Sequence, residues 1–229
     1  MIAIIGAMEE EIQEFLRHTT NIQKKPWKNF TFYLGELEKK QVIIVKCGVG
    51  KILASMLTQK LIDDYHPAKI LFTGIAGGLD PAINIGDVVV AKQCVQHDMD
   101  CSAMGFKIGA IPYTEWHFID TDKNLSALAL IFPASDFKNF HGNVLTGDQF
   151  MTHEQVDSKK YLRDELQGIA IEMEGAAVSM VAMINEIPCL ILRTISDKAD
   201  SNATVDFKKF VPIASLRNYK IVEFILKNL

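Results

Sequence analysis

Four charged residues of this chain stand where apolar segments end: Glu11, Glu174, Arg193 and Asp197. Ile169-Ala-Ile171 leads into Glu172, Met173 and Glu174, and Cys189-Leu-Ile-Leu192 leads into Arg193 and on to Asp197. A carboxylate at the end of an apolar strand costs free energy unless it is paired or used. Separated carboxylates without a metal suit acid–base hydrolysis of a glycosidic bond, one acid protonating the leaving group while another carboxylate activates water. Each such contribution is typically ~10²–10⁴-fold in rate. No Ser/His or Cys/His pair stands in a compelling context, so a protein nucleophile is not indicated. His97, Asp98 and Asp100 lack a second ligand cluster and read as a loop hydrogen-bond network. No metal or cofactor is expected.

The elements that must position these groups follow from periodicity. Residues 2–5 are a buried-strand run, turned by Gly6-Ala7 into a helix over 9–18 with Ile12, Phe15 and Leu16 at helical spacing. The acidic first turn of that helix suits its dipole, which alone accounts for two of the three glutamates. Residues 30–36 and 42–47 flank Glu38-Lys-Lys40 as a β-hairpin. Gly48-Val-Gly50 leads into a helix over 52–65. Leu53 occupies the third glycine position, so the dinucleotide fingerprint fails, and Ile52 after Gly50-Lys51 excludes a P-loop. Strands are expected at 69–73, 88–95 and 143–146, and helices at 125–132, 154–166 and 205–229; the glycine cluster at 74–78 reads either as backbone whose N–H groups face a ligand or as a tight turn. Residues 105–117 read as a loop.

The central stretch reads as strand, helix, strand: 169–171, a small-residue helix over 175–183, then 189–192. Two parallel neighbours there would bring Glu174, Arg193 and Asp197 to one site beyond the strand ends. The alternation implies a single α/β domain over residues 1–229, a three-layer α/β/α arrangement with a twisted, mixed central sheet.

Composition sets the outer bounds. The chain has 229 residues, 48% hydrophobic and 23% charged, with a net charge of -4. That is ordinary for a globular protein, and without a Lys/Arg-rich run nucleic acid is not an expected partner. No run approaches the ~18 apolar residues of a membrane span. The apolar run 2–8 has no basic residue before it and meets Glu9-Glu-Glu11, so it is not a signal peptide. Four cysteines without CxxC spacing read as buried free thiols of a cytoplasmic protein.

Seven segments, in order along the chain, carry a resemblance: Ile4-Ile-Gly-Ala-Met-Glu-Glu-Glu11, Gly48-Val-Gly-Lys51, Thr73-Gly-Ile-Ala-Gly-Gly78, His97-Asp98, Gly147-Asp-Gln-Phe150, Glu172-Met-Glu174 and Arg193-Thr-Ile-Ser-Asp197. Together they resemble the motifs of the 5′-methylthioadenosine/S-adenosylhomocysteine nucleosidases, of the nucleoside phosphorylase-like superfamily, over roughly residues 1–225. The resemblance implies hydrolysis of an N-glycosidic bond with release of adenine. It makes Asp197 the acid at N7 of the purine, oriented by Ser196, and Glu11 the base that activates water, with Arg193 close by. Glu174 would hold the ribose hydroxyls and Met173 would pack on the sugar. Phe150 would stack on adenine, and the Met151 backbone would read its edge. Met8, Val49 and Phe207 would line the groove for the alkylthio group, with Ile75 and Gly77 on the glycine segment. Cys101 and Met104 match positions that reach into a neighbouring subunit, implying a homodimer.

Ile75 stands where many members have Ser, and Cys101 and Met104 are softer than the usual residues. Some relatives hydrolyse 6-amino-6-deoxyfutalosine, and the superfamily's phosphorylases use phosphate. Here Gly6 is followed by acidic residues that would repel phosphate. A plain adenosine-binding module would not need the carboxylates. Met8, Met173 and Phe207 taken alone read as core, and Glu172 as a structural carboxylate. Burial would raise Asp197 above the ~3.9 of a free Asp. Arg193 is expected to face Glu11 or Glu174.

Overall fold

The computed structural model describes residues 1–197 and 203–229, with the side chains of His153 and residues 203–209 outside the description. Among the described residues ten strands form one mixed sheet. The first half contributes β1 (Ile2–Gly6), β2 (Thr20–Trp27), β3 (Phe30–Leu37), β4 (Lys40–Lys46) and β5 (Lys69–Gly78). The second half contributes β6 (Val88–Gln96), β7 (Ile119–Asp120), β8 (Asn139–Thr146), β9 (Gly168–Glu172) and β10 (Cys189–Asp197). The helices are α1 (Glu9–His18), α2 (Lys51–Tyr65), α3 (Lys123–Leu130), α4 (His153–Ser158), α5 (Tyr161–Asp164), α6 (Gly175–Ile184) and α7 (Ala203–Asn228).

Strict alternation along the inner strands builds two cores. Ala3, Ile5, Ile43, Val45, Ile70 and Phe72 face α2 and α6. Ile2, Ile4, Val42, Ile44, Leu71, Leu190 and Leu192 face α1, α3 and α7. Side chains on a strand point alternately to opposite faces, so strands with both faces covered read as unbroken apolar runs. Each fully buried Leu, Ile or Phe contributes ~1.5–3 kcal/mol, which fixes the sheet on which the charged strand ends are mounted. No helix among the described residues is long and apolar enough to cross a membrane.

The strand order is β10-β6-β8-β9-β5-β1-β4-β3-β2, and β10 also pairs with β5. Strands β5, β9, β8, β6 and β10 therefore close into a ring. β9 and β10 are not the expected parallel neighbours: β5 lies between them, parallel to β10 and antiparallel to β9. The ring still gathers their carboxyl ends, because β5 ends between them, with Gly77 opposite both Ile171 and Asp197.

Two other expectations change. Of the two readings of the glycine segment 74–78 the tight turn fails: the segment is the second half of β5, hydrogen-bonded to β10. Residues 154–166 form two short helices, interrupted at Lys159, and bury Val156, Leu162 and Leu166 in a third apolar cluster. Pro212 lies inside α7.

Candidate active site

A cavity of about 580 Å³ opens at the end of the strand ring. Its walls include Met8, Glu11, Val49, Ile75, Gly77, Phe150, Met151, Met173, Glu174, Ser196 and Asp197. Ala7, Ala76, Gln149, Ile171 and Glu172 complete the lining. Arg193 lies beneath it, buried. Cys101 is half-buried and Met104 exposed, neither lining this chain's own cavity. The expectation for the Phe207 side chain falls outside the described residues.

Glu11 comes from the first turn of α1, just after β1. Its Oε2 accepts from the backbone N–H groups of Ala7 (2.6 Å) and Met8 (2.9 Å), and its Oε1 from that of Ile75 (3.1 Å). The carboxylate is only 5% exposed. Burial pushes its pKa up, against the pull of Arg193 and those three amides. Gly74 makes the arrangement possible: a Cβ there would sit 2.5 Å from Glu11 Oε1 and 2.9 Å from Arg193 Nη1. The glycine segment is thus a strand stripped of side chains so that two charged groups can approach its backbone.

Glu174 precedes α6, and its Oε1 accepts from the Gly50 N–H at 2.7 Å. Burial raises its pKa, and the negative charge of Glu172 raises it further, while Arg193 and the Gly50 amide oppose. Gly50 holds φ at +95°, the left-handed region that glycine enters without strain.

Arg193 faces Glu172, not Glu11 or Glu174 as expected. Its Nη2 lies 2.6 Å and its Nε 3.2 Å from Glu172 Oε2, and the guanidinium stacks 4.1 Å from the Phe72 ring centre. Burial works against its charge, but Glu172, Glu11 and Glu174 outweigh that and keep it protonated. Glu172 also accepts from the Glu174 and Gly175 amides and the Thr146 hydroxyl, so it is the structural carboxylate the sequence suggested. A buried pair of this kind is held by geometry and full hydrogen bonding rather than by charge attraction alone.

At the end of β10, the Ser196 hydroxyl donates to Asp197 Oδ2 at 2.8 Å. Asp197 is 3% exposed. Asn218 on α7 steadies this region: its Oδ1 accepts from Thr194 Oγ1 and its Nδ2 donates to the Gly74 carbonyl. Sequence reasoning passed over Asn218 and Thr146, because neither lies in a motif and both act through contacts distant along the chain. Among the described residues no group of three His, Cys, Asp or Glu side chains could hold a metal ion.

A carboxylate on one wall, a second beside the turn into α2, a third at the end of β10 and an aromatic ring at the rim suit a flat base joined to a hydroxylated ring. The chain is similar to proteins of matching description. A model of the phosphorylase superfamily matches residues 1–227. The 5′-methylthioadenosine/S-adenosylhomocysteine nucleosidase of Pseudoalteromonas translucida is 34% identical over 229 residues, covering 100% of this chain and 97% of that protein. The aminodeoxyfutalosine nucleosidase of Campylobacter jejuni is 36% identical over 211 residues, covering 92% of this chain and 91% of that protein. The crystal structure of the Neisseria meningitidis methylthioadenosine/S-adenosylhomocysteine nucleosidase in complex with methylthio-immucillin-A superposes with a TM-score of 0.93 at 30% identity, over 100% of this chain and 99% of that one. Across its full length, then, this chain belongs to the phosphorylase superfamily and, within it, to the methylthioadenosine/S-adenosylhomocysteine nucleosidases.

Proposed function

We propose that this protein hydrolyses the N-glycosidic bond of 5′-methylthioadenosine and S-adenosylhomocysteine, releasing adenine and the 5-thio-substituted ribose. The observation that carries this reading is the convergence of Glu11, Glu174 and Asp197 on one cavity rimmed by Phe150. Asp197, held by Ser196, gives a proton to N7, so that adenine need not leave as an anion. Glu11 takes a proton from water as it attacks the anomeric carbon. Glu174 accepts from the ribose hydroxyls, and Met173 packs on the sugar face. Phe150 stacks on the base while the Met151 backbone reads its edge. Met8 and Val49 line an apolar groove for the alkylthio tail, with Ile75 and Gly77 on the neighbouring wall; the resemblance assigns Phe207 to the same groove, although its side chain falls outside the described residues. Arg193 acts through Glu172 and through its field on Glu11, without touching substrate.

The protein acts as a single-domain homodimer in the cytoplasm, where its free cysteines stay reduced. Cys101 and Met104 complete the tail subsite of the partner protomer. Similarity to the Campylobacter jejuni protein favours aminodeoxyfutalosine as a second substrate for the same chemistry. The test is incubation with methylthioadenosine in phosphate-free buffer, with identification of the products. Adenine and free 5-methylthioribose are expected. A sugar 1-phosphate formed only with added phosphate would replace hydrolysis with phosphorolysis.

A further inference from the structure

Helix α2 starts at the rim of the cavity without a cap of its own. Its N-cap residue is Gly50, with no side-chain hydrogen bond, and its first turn has no acidic residue. Two carboxylates from distant loops take that place. Glu174 Oε1 accepts the Gly50 amide at 2.7 Å, and Asp148 Oδ1 accepts the Lys51 amide at 2.8 Å. Negative groups at a helix N-terminus meet its unpaired N–H groups and its positive dipole end. One of these carboxylates sits against the proposed sugar position, and the other is two residues from Phe150.

A second set of contacts locks the same junction. Lys51 Nζ donates to Asp98 Oδ1 at 2.6 Å and lies 3.8 Å from Asp148 Oδ2. Asp98 Oδ2 accepts the Asp148 amide at 2.9 Å. The buried His97 ring packs beneath Gly147 so closely that a Cβ there would come 2.3 Å from its Nε2. The segment carrying Phe150 is thus clamped from below by His97 and from the side by Lys51 and Asp98.

We propose that Lys51, Asp98 and Asp148 are positioning residues: a charged clasp that fixes the base-stacking segment 149–151 relative to Glu174 through the start of α2. The inference rests on the nucleosidase reading for its kinetic consequences, but not for its structural ones. The ion pairs are partly solvated, and such pairs are individually weak. The clasp therefore governs one loop while global stability rests on the two cores.

Hydrogen–deuterium exchange of residues 147–152 in the whole protein tests the clasp independently of activity. Exchange there should quicken by about fivefold in Asp98→Asn and Lys51→Met, the amount that corresponds to losing one such pair. Lys51→Arg should keep most of the protection, and 1 M salt should loosen the segment in the unmutated chain. Methylthioadenosine hydrolysis by the same variants should show a KM raised about fivefold with a smaller change in kcat. Unchanged exchange at 147–152 in both variants and in salt would overturn the clasp. Equal losses in Lys51→Arg and Lys51→Met would overturn its electrostatic basis. An unmutated chain that does not hydrolyse methylthioadenosine would sink the nucleosidase reading alone, leaving the exchange arm to judge the clasp.

Discussion

Replacing Glu11 with Gln tests chemistry and architecture together. The carboxylate accepts three backbone N–H groups, two on Oε2 and one on Oε1. A glutamine has only one acceptor oxygen. Its better orientation turns that oxygen to Ala7 and Met8, leaving its NH₂ against the Ile75 N–H. One buried donor is then orphaned, a loss of about 1–3 kcal/mol. Removing the buried charge returns part of that by relieving desolvation, so a net loss of about 1–2 kcal/mol is expected from urea unfolding. The chemical loss is larger. Gln cannot take a proton from water, so kcat should fall ~10²–10⁴-fold while KM changes little. Initial rates of adenine release, read by chromatography on folded protein, separate the two effects. A variant that keeps more than about a tenth of the kcat, below the ~10² expected of a general base, would leave Glu11 as no more than the cap of α1.

Asp197→Asn should still bind adenine, since the amide can donate one hydrogen bond to N7, but should lose most of kcat. Nucleosides with better leaving groups should be hit less, and an equal, small loss for both classes would remove Asp197 from the acid role. Glu174 has a pKa raised above its ordinary 4.5 in the folded protein. A carboxyl raised on folding stabilises most below its unfolded pKa, and that stabilisation fades as pH climbs through the folded value. The stability difference between the unmutated protein and Glu174→Gln should therefore vary with pH between 4.5 and the raised value; urea midpoints whose difference stays flat there would contradict the assignment. Arg193→Met strands Glu172 in the interior and should destabilise by about 3–5 kcal/mol, with a double variant that adds Glu172→Gln recovering part of it. A loss under about 1 kcal/mol would mean that Glu172 finds water when its partner is gone. Met104→Asp should raise KM most for long-tailed substrates, each buried CH₂ contributing ~0.8 kcal/mol. A fully active monomer in sedimentation would refute the shared site.

What the sequence revealed depended on how local the signal was. Helix α1 carries its period, its acidic start and its basic end within ten residues, and its predicted span matches. The β3–β4 hairpin was equally legible. β2 was missed because Thr20–Trp27 is an outer strand with no buried residue and a proline at 26, so it shows no alternation. The glycine segment stayed open between a tight turn and a ligand-facing backbone because its reason, the approach of Glu11 and Arg193 to Gly74, lies far along the chain. The same distance hid the partner of Arg193: pairing with Glu172 follows from the ring of strands, which no local pattern encodes. The ordered motifs pointed to Met8, Glu11, Val49, Phe150, Glu174 and Asp197, which line the cavity, whereas Asn218 and Thr146 have no signature short of the fold itself.

The position of β10 has a consequence for how the protein is made. This is the last of the described strands along the chain, yet it slots between β5 and β6, which are synthesised about a hundred residues earlier. Until residue 197 has left the ribosome, both neighbours present bare edges, the kind of surface that captures other chains. Contacts of such sequence separation also form slowly. The nascent protein must therefore wait, held open along its middle, for the segment that carries Arg193 and Asp197. Closure of the sheet and completion of the catalytic cleft then become one event, so a chain stalled or cut short of β10 is at once aggregation-prone and without its proposed acid.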